Sequence, residues 1–108
     1  MSNNITQYIE VKTPEHHYRY GAFFFSTRVP WVDCWFLVAR GIRFGLLTRD
    51  WLQLFHEQRD LLYMSTDACD TFMQALCKAL TPTAAPGWEF TVWTTPHGRA
   101  IGWFPRQG

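Results

Sequence analysis

Residues 31–47 read WVDCWFLVARGIRFGLL, and the prediction of the fold begins from this segment. If residues 31–40 are extended, alternation leaves apolar side chains on both faces, with Trp31 and Trp35 on the same one. A strand that is apolar on both faces is typical of the centre of a sheet. A tight turn at Gly41 then lets the chain reverse into a further strand.

Three more strands are predicted around this centre. The chain returns from the turn over residues 42–47, and the aromatic-rich residues 17–27 alternate on the other side. Residues 17–47 therefore form a predicted meander of three strands. Residues 7–12 alternate over a shorter length and predict a fourth strand at an edge of the sheet.

The periodicity becomes helical after Thr48, which is a favourable helix N-cap. Apolar residues recur at helical spacing and predict a first helix over residues 49–63. Ser65 or Thr66 caps a second helix over residues 66–80, which has aspartates in its first turn and one continuous apolar stripe.

The end of the chain alternates again. Prolines and a glycine make residues 81–87 a loop, and residues 88–94 and 99–104 form two strands around the turn at residues 96–98. These two segments predict a β-hairpin.

The predicted fold is an α+β two-layer sandwich in the order β-β-β-β-α-α-β-β. One antiparallel sheet of about five strands is covered on one face by two helices. The 108 residues match the usual size of one domain, so residues 1–108 are predicted to form a single α+β domain.

The composition excludes a disordered tail and a coiled coil, because 47% of the residues are hydrophobic and only 18% are charged. No apolar stretch approaches the length of a membrane span, and the first residues lack the pattern of a signal peptide. We therefore expect a cytoplasmic protein without a membrane partner. The three cysteines are expected to be reduced and mostly buried.

The motifs that accompany catalysis and metal binding are missing from this sequence. The four histidines and three cysteines lack the short spacings of zinc sites, so no metal ligands are predicted. Walker, dinucleotide-binding and nucleophile-elbow motifs are also missing. The sequence predicts no cofactor, no catalytic residue and no enzymatic activity.

Arginine and aromatic side chains are the prominent feature of the composition. Ten Lys and Arg oppose nine Asp and Glu, eight of the ten cations are arginine, and the chain has six Trp, four Tyr and nine Phe. Arginine and aromatic residues are enriched at protein interfaces, where lysine is depleted. If two helices cover one face of the sheet, the other face stays open to a partner. The residues predicted to bind that partner are Phe25, Arg28, Trp31, Trp35, Arg43 and Trp93.

The function predicted from these observations is a non-catalytic protein-binding module. A small phage or mobile-element inhibitor that blocks a host protein complex is one form that such a module takes. The partner is predicted to be a protein, and a homodimer is an alternative. A nucleic-acid-binding domain is a second alternative, because arginines and aromatic rings alternate along the predicted strands, although the net charge of +1 is low for it. A small ligand-binding protein or enzyme is less favoured.

Overall fold

The computed structural model describes residues 22–84, 86–96 and 98–106. These residues form two compact units. We call residues 27–79 the helical unit, and we call residues 22–26 together with residues 80–106 the strand unit. The strand predicted over residues 7–12 lies outside the described residues.

The described residues follow the order strand, four α-helices, 3₁₀ turn and two strands. The elements are β1 (Ala22–Phe25), α1 (Pro30–Arg43), α2 (Asp50–Glu57), α3 (Arg59–Met64), α4 (Thr66–Leu80), the 3₁₀ turn (Thr81–Thr83), β2 (Trp88–Thr95) and β3 (Gly98–Pro105). The predicted sheet of about five strands and the predicted β-β-β-β-α-α-β-β order are therefore wrong, although strands and helices do occur together. In the described part of the chain, no helix is both long and apolar enough to cross a membrane.

The largest correction concerns α1, which replaces the predicted central strand. Pro30 occupies the first turn, where its missing N–H and fixed φ suit a helix start. The buried apolar positions are Cys34, Leu37, Val38 and Gly41, which recur at the spacing of one helix face. The strand prediction relied on the β-branched and aromatic residues of this segment. Their preference for strands is weaker than the effect of tertiary packing, which selects the helix.

The predicted turn at Gly41 and the strand after it are also wrong. Gly41 lies inside α1, and the chain reverses only after Phe44, with Gly45 at φ 76°. The N–H groups of Leu46 and Leu47 then donate to the Gly41 carbonyl at 2.8 and 3.0 Å. This arrangement folds Leu47 back over the glycine and ends the helix.

The first predicted helix, residues 49–63, is two helices in the structure. Gln58 separates α2 from α3, and its carbonyl accepts the Leu62 N–H at 2.9 Å. The prediction of α4 over residues 66–80 is confirmed. Its cap is Ser65, whose hydroxyl oxygen accepts the Ala68 N–H at 3.1 Å.

Aromatic rings fill the core of the helical unit. Phe55 from α2 and Phe72 from α4 lie with ring centroids 6.0 Å apart in an edge-to-face arrangement, and both are buried. Trp51 contacts the same Phe72 ring at 5.8 Å. The helices of this unit therefore bury their apolar side chains against one another, without a sheet.

The strand unit contains the predicted hairpin. Residues of β2 pair with β3 in antiparallel register from Trp88 opposite Pro105 to Thr95 opposite Gly98, and the strand order is β1-β3-β2. Phe90 and Trp103 are buried in edge-to-face contact. The hairpin prediction is confirmed, but the described sheet has three strands.

Candidate functional site

Trp31 and Trp35 lie one helical turn apart on α1, where the sequence predicted an open sheet face. Both side chains are half-buried by other helices. The Trp31 ring contacts Tyr63 with centroids 4.5 Å apart, and the Trp35 ring contacts Phe55 at 5.4 Å. The two tryptophans therefore pack helices together, and the strand argument for their exposure does not hold.

The unusual element is α3, which is apolar around most of its circumference. Its sequence is RDLLYM, and only Leu62, 1% exposed, is buried. Leu61 is 56% exposed, Tyr63 51% and Met64 85%. A helix that is apolar all round is normally buried, so three large apolar side chains in solvent require an explanation.

Tyr63 and Met64 lie beside Trp31 at the start of α1. Trp31 contacts Tyr63, and both line a cleft together with Met64. Leu61 lies one helical turn before Met64, and Val29, also exposed, precedes the first turn of α1. We call Val29, Trp31, Leu61, Tyr63 and Met64 the α3 surface.

The cleft inside the α3 surface is small. It has a volume of about 80 Å³, and the buried Leu62 and Cys69 are among the residues that line it. An engineered apolar cavity that holds benzene is about twice as large, at roughly 150 Å³. The cleft is therefore too small for a typical metabolite or cofactor.

Backbone carbonyl groups beside the cleft accept hydrogen bonds from other groups of the protein. The Cys69 thiol donates to the Leu62 carbonyl at 3.0 Å, and the Ser65 N–H donates to the Leu61 carbonyl at 2.9 Å. Ser65 also caps α4 through its hydroxyl. These hydrogen bonds fix the junction between α3 and α4.

The charged residues at the start of α3 pair with each other. The Arg59 Nε and an Asp60 carboxylate oxygen lie 3.9 Å apart, and both side chains are well exposed. Such a pair contributes little to stability in water. It does place one charge of each sign beside the apolar side chains.

Two buried thiols lie behind the α3 surface. The Cys34 thiol donates to the Cys69 carbonyl at 3.5 Å. Burial raises the pKa of Cys34 to about 12, and the nearby Cys69 and Asp33 act in the same direction. Burial also raises the pKa of Cys69. Both thiols are protonated at neutral pH, so neither is an activated nucleophile.

The segment before α1 is held by a buried carboxylate. Asp33 is fully buried, and its Oδ1 accepts hydrogen bonds from the N–H and the hydroxyl of Thr27, both at 2.7 Å. Arg28 follows with a positive φ of 70°, and Val29 is exposed next to it. These bonds fix the backbone that leads into Trp31.

The remaining predicted residues lie at the end of α1 or in the strand unit. The exposed Arg43 guanidinium lies 5.9 Å from the Phe44 ring centroid at the end of α1. Trp93 belongs to the strand unit and stacks on Phe104 with centroids 4.3 Å apart. Phe25 is the last residue of β1.

The sequence prediction included Trp31 and missed the more exposed residues of α3. The run Leu61-Leu62-Tyr63-Met64 was detectable, because four consecutive apolar residues cannot all face the core from one helix.

Within the described ranges, no three His, Cys, Asp or Glu side chains come together in a group that could hold a metal ion. Comparisons with family models, curated proteins and solved structures found no match for this chain.

Proposed function

We propose that this chain is a non-catalytic protein-binding module whose contact region is the α3 surface. The observation that carries the proposal is the exposure of three of the four apolar side chains of α3. Contiguous exposed apolar patches of a few hundred Å² on a monomer are often sites of interaction. A stoichiometric inhibitor that occupies a partner is one form of this function, and a cytoplasmic location is part of the same proposal.

The side chains of the α3 surface are of the kinds that dominate binding energy at interfaces. Tryptophan and tyrosine are frequent hot spots, and methionine adapts its shape to irregular partners. The contact between Trp31 and Tyr63 restrains both rings before a partner arrives. A restrained ring loses less conformational entropy on binding, which favours affinity.

The backbone around the α3 surface supports the same role. Thr27 and Asp33 hold the entry to α1, while Ser65 and Cys69 hold the exit from α3. The apolar side chains therefore project from fixed positions on two helices. Preorganised positions of this kind are what a recognition surface requires.

The buried thiols give no support to a catalytic alternative, because both are protonated at neutral pH. The nucleic-acid alternative has less support than before. It depended on arginines and rings alternating along strands, and residues 30–43, which contain Trp31, Arg40 and Arg43, are helical. Protein binding is the function that the described surface supports best.

The experiment compares Met64→Asp with the matched control Gln74→Asp. Both positions are exposed and helical, and each variant adds one carboxylate. Equal amounts of wild type and both variants are immobilised and exposed to an extract of the native source. We expect a specific protein to be captured by wild type and Gln74→Asp and reduced about tenfold or more with Met64→Asp.

Thermal melts of all three proteins show that the capture difference does not come from unfolding. Met64 is exposed, so we expect the change at this position to shift the stability by less than about 0.5 kcal/mol. Equal capture by Met64→Asp and wild type would refute the proposed contact region.

A further inference from the structure

We propose that Cys34 and Cys69 are a site of reversible oxidation, at which hydrogen peroxide enters the cleft beside Cys69 and converts the two thiols into a disulfide bond. The bond connects α1 to α4 inside the helical unit. The proposed binding function makes no use of these thiols, so the two proposals are tested separately.

The two cysteines meet in the core although they come from different helices. Cys34 lies in α1 and Cys69 lies near the start of α4, and both are buried. The Cys34 thiol donates to the Cys69 carbonyl at 3.5 Å, and a hydrogen bond also joins the two side chains. A disulfide requires side chains that already approach each other closely, and this contact provides that arrangement.

The third cysteine, Cys77, provides an internal control. It follows Cys69 by eight residues of α4, which is about 12 Å along the helix axis. The Cα atoms of a disulfide lie within roughly 7 Å of each other. Cys69 therefore cannot bond to Cys77 while α4 is intact.

The cleft inside the α3 surface gives a small oxidant access to one of the two thiols. Cys69 is among the residues that line it, and its volume is about 80 Å³. A water molecule needs roughly 10–15 Å³ of such space, whereas a cavity that holds benzene has roughly 150 Å³. Hydrogen peroxide has only one more oxygen atom than water, so it fits the cleft, and a maleimide ring does not.

The hydrogen bond between the two thiols gives them different roles. Burial raises the pKa of both, but the hydrogen bond from Cys34 lowers the pKa of Cys69 while it raises that of Cys34. Cys69 therefore loses its proton more readily, and Cys69 is also the thiol that lines the cleft. The thiolate fraction stays small at neutral pH, so the oxidation is slow and proceeds only while peroxide persists.

The oxidation takes place in two balanced steps. The Cys69 thiolate attacks one oxygen of hydrogen peroxide, the O–O bond breaks, and the hydroxide that leaves takes up the proton released by Cys69. The Cys34 sulfur then attacks the sulfur of the Cys69 sulfenic acid, and the S–O bond breaks as the Cys34 proton leaves with the hydroxyl group as water. Overall, two thiols are oxidised and one peroxide is reduced to two waters.

The disulfide replaces two hydrogen bonds with one covalent link. The Cys69 thiol no longer donates to the Leu62 carbonyl, and the Cys34 thiol no longer donates to the Cys69 carbonyl. The link closes the chain from residue 34 to residue 69, which lowers the conformational entropy of the unfolded state. We therefore expect the melting temperature to rise by about 5 °C or more on oxidation.

The experiment treats folded wild type and the matched control Cys77→Ser with millimolar hydrogen peroxide. Catalase then removes the peroxide, and N-ethylmaleimide labels the remaining thiols in urea. We expect one internal disulfide in each protein, so Cys77→Ser should retain no thiol for the label. Digestion before aspartate separates Cys69 from Cys77, because Asp70 lies between them, and the crosslinked peptides of wild type should contain Cys34 and Cys69.

Variants and a reductant test the pairing. Cys34→Ser and Cys69→Ser each remove one partner, so neither should form an internal disulfide. The peptide mapping of wild type does not depend on whether these variants fold. Dithiothreitol should reverse both the crosslink and the rise in melting temperature, whereas oxidation of methionine is not reversed by a thiol. Cumene hydroperoxide, which is too large for the cleft, should form the crosslink about tenfold more slowly or less.

Three results would overturn the proposal. In the first, Cys34 and Cys69 both remain open to the label after the peroxide treatment. In the second, the crosslink forms only in urea, or it joins two chains or includes Cys77, because the folded contact would then not direct it. In the third, the two peroxides react at equal rates, which would contradict entry through the cleft. Capture by the α3 surface is measured independently of all three.

Discussion

Replacing Gly41 with alanine tests the packing at the end of α1. Gly41 is buried, and a Cβ built on its backbone would overlap the end of the Leu47 side chain and lie 2.7 Å from its Cγ. Leu47 cannot withdraw freely, because its own N–H and that of Leu46 both donate to the Gly41 carbonyl. The overlap must therefore be relieved by a shift of packed atoms.

Two effects of opposite sign follow from this substitution. Alanine is favoured over glycine inside a helix by about 1 kcal/mol. Forcing an extra methyl group into a packed site typically costs about 1–3 kcal/mol. Because the new methyl group meets the Cγ of Leu47 and also lies 3.3 Å from its Cβ, a rotation of the terminal methyl groups alone does not relieve the overlap. We expect a net loss of about 1–2 kcal/mol in the free energy of unfolding.

Urea denaturation of four proteins measures this balance: wild type, Gly41→Ala, Leu47→Ala and the double variant. In the Leu47→Ala background the overlap is gone, so the same Gly41→Ala change should stabilise the helix by up to about 1 kcal/mol. The change of sign corresponds to a coupling energy of about 2 kcal/mol. A stabilising Gly41→Ala in the wild-type background, or the same effect in both backgrounds, would refute the described packing.

Four further predictions concern the helical unit. Thr27→Val removes a hydroxyl donor from the buried Asp33 carboxylate, so we expect a loss of about 1–3 kcal/mol in urea melts, while Thr27→Ser should lose less than half as much. Phe72→Ala should cost about 3–5 kcal/mol, and a loss below about 1 kcal/mol would show that the ring is not in the core. Cys34 and Cys69 should react slowly with a thiol reagent at neutral pH until urea unfolds the chain, and rapid labelling would contradict their burial. Because burial raises the pKa of Cys34 from 9.0 to about 12, the neutral thiol is favoured by folding, and that contribution to stability should be present below about pH 9 and decline as the pH rises toward 12.

Local signals were sufficient for two elements of this protein. The helix over residues 66–80 carries a cap at Ser65, an aspartate in its first turn and an apolar stripe, and all of these act within a few residues. The last hairpin likewise combines alternation with turn residues, including Gly98 at φ 125°. The apolar residues fit only the helical periodicity in residues 66–80 and only the alternating periodicity in the hairpin strands.

Local signals failed at residues 31–47 because most positions are apolar. The buried positions Cys34, Leu37 and Val38 fit one helix face, while the same residues also alternate acceptably in a strand. The helix is selected by contacts between distant positions, such as Trp35 with Phe55 and Cys34 with Cys69. No window of a few residues contains that information.

The candidate interaction surface likewise depends partly on the sequence and partly on the tertiary structure. The sequence alone determined that the chain is rich in arginine and aromatic residues, carries almost no net charge and contains the apolar run at residues 61–64. Which side of that run faces water was decided by the tertiary structure, where Leu62 is buried and Met64 is left in solvent. The physical reason is that a pattern of apolar residues sets how much surface must be buried, whereas the number of neighbours available in space sets which of those residues are covered.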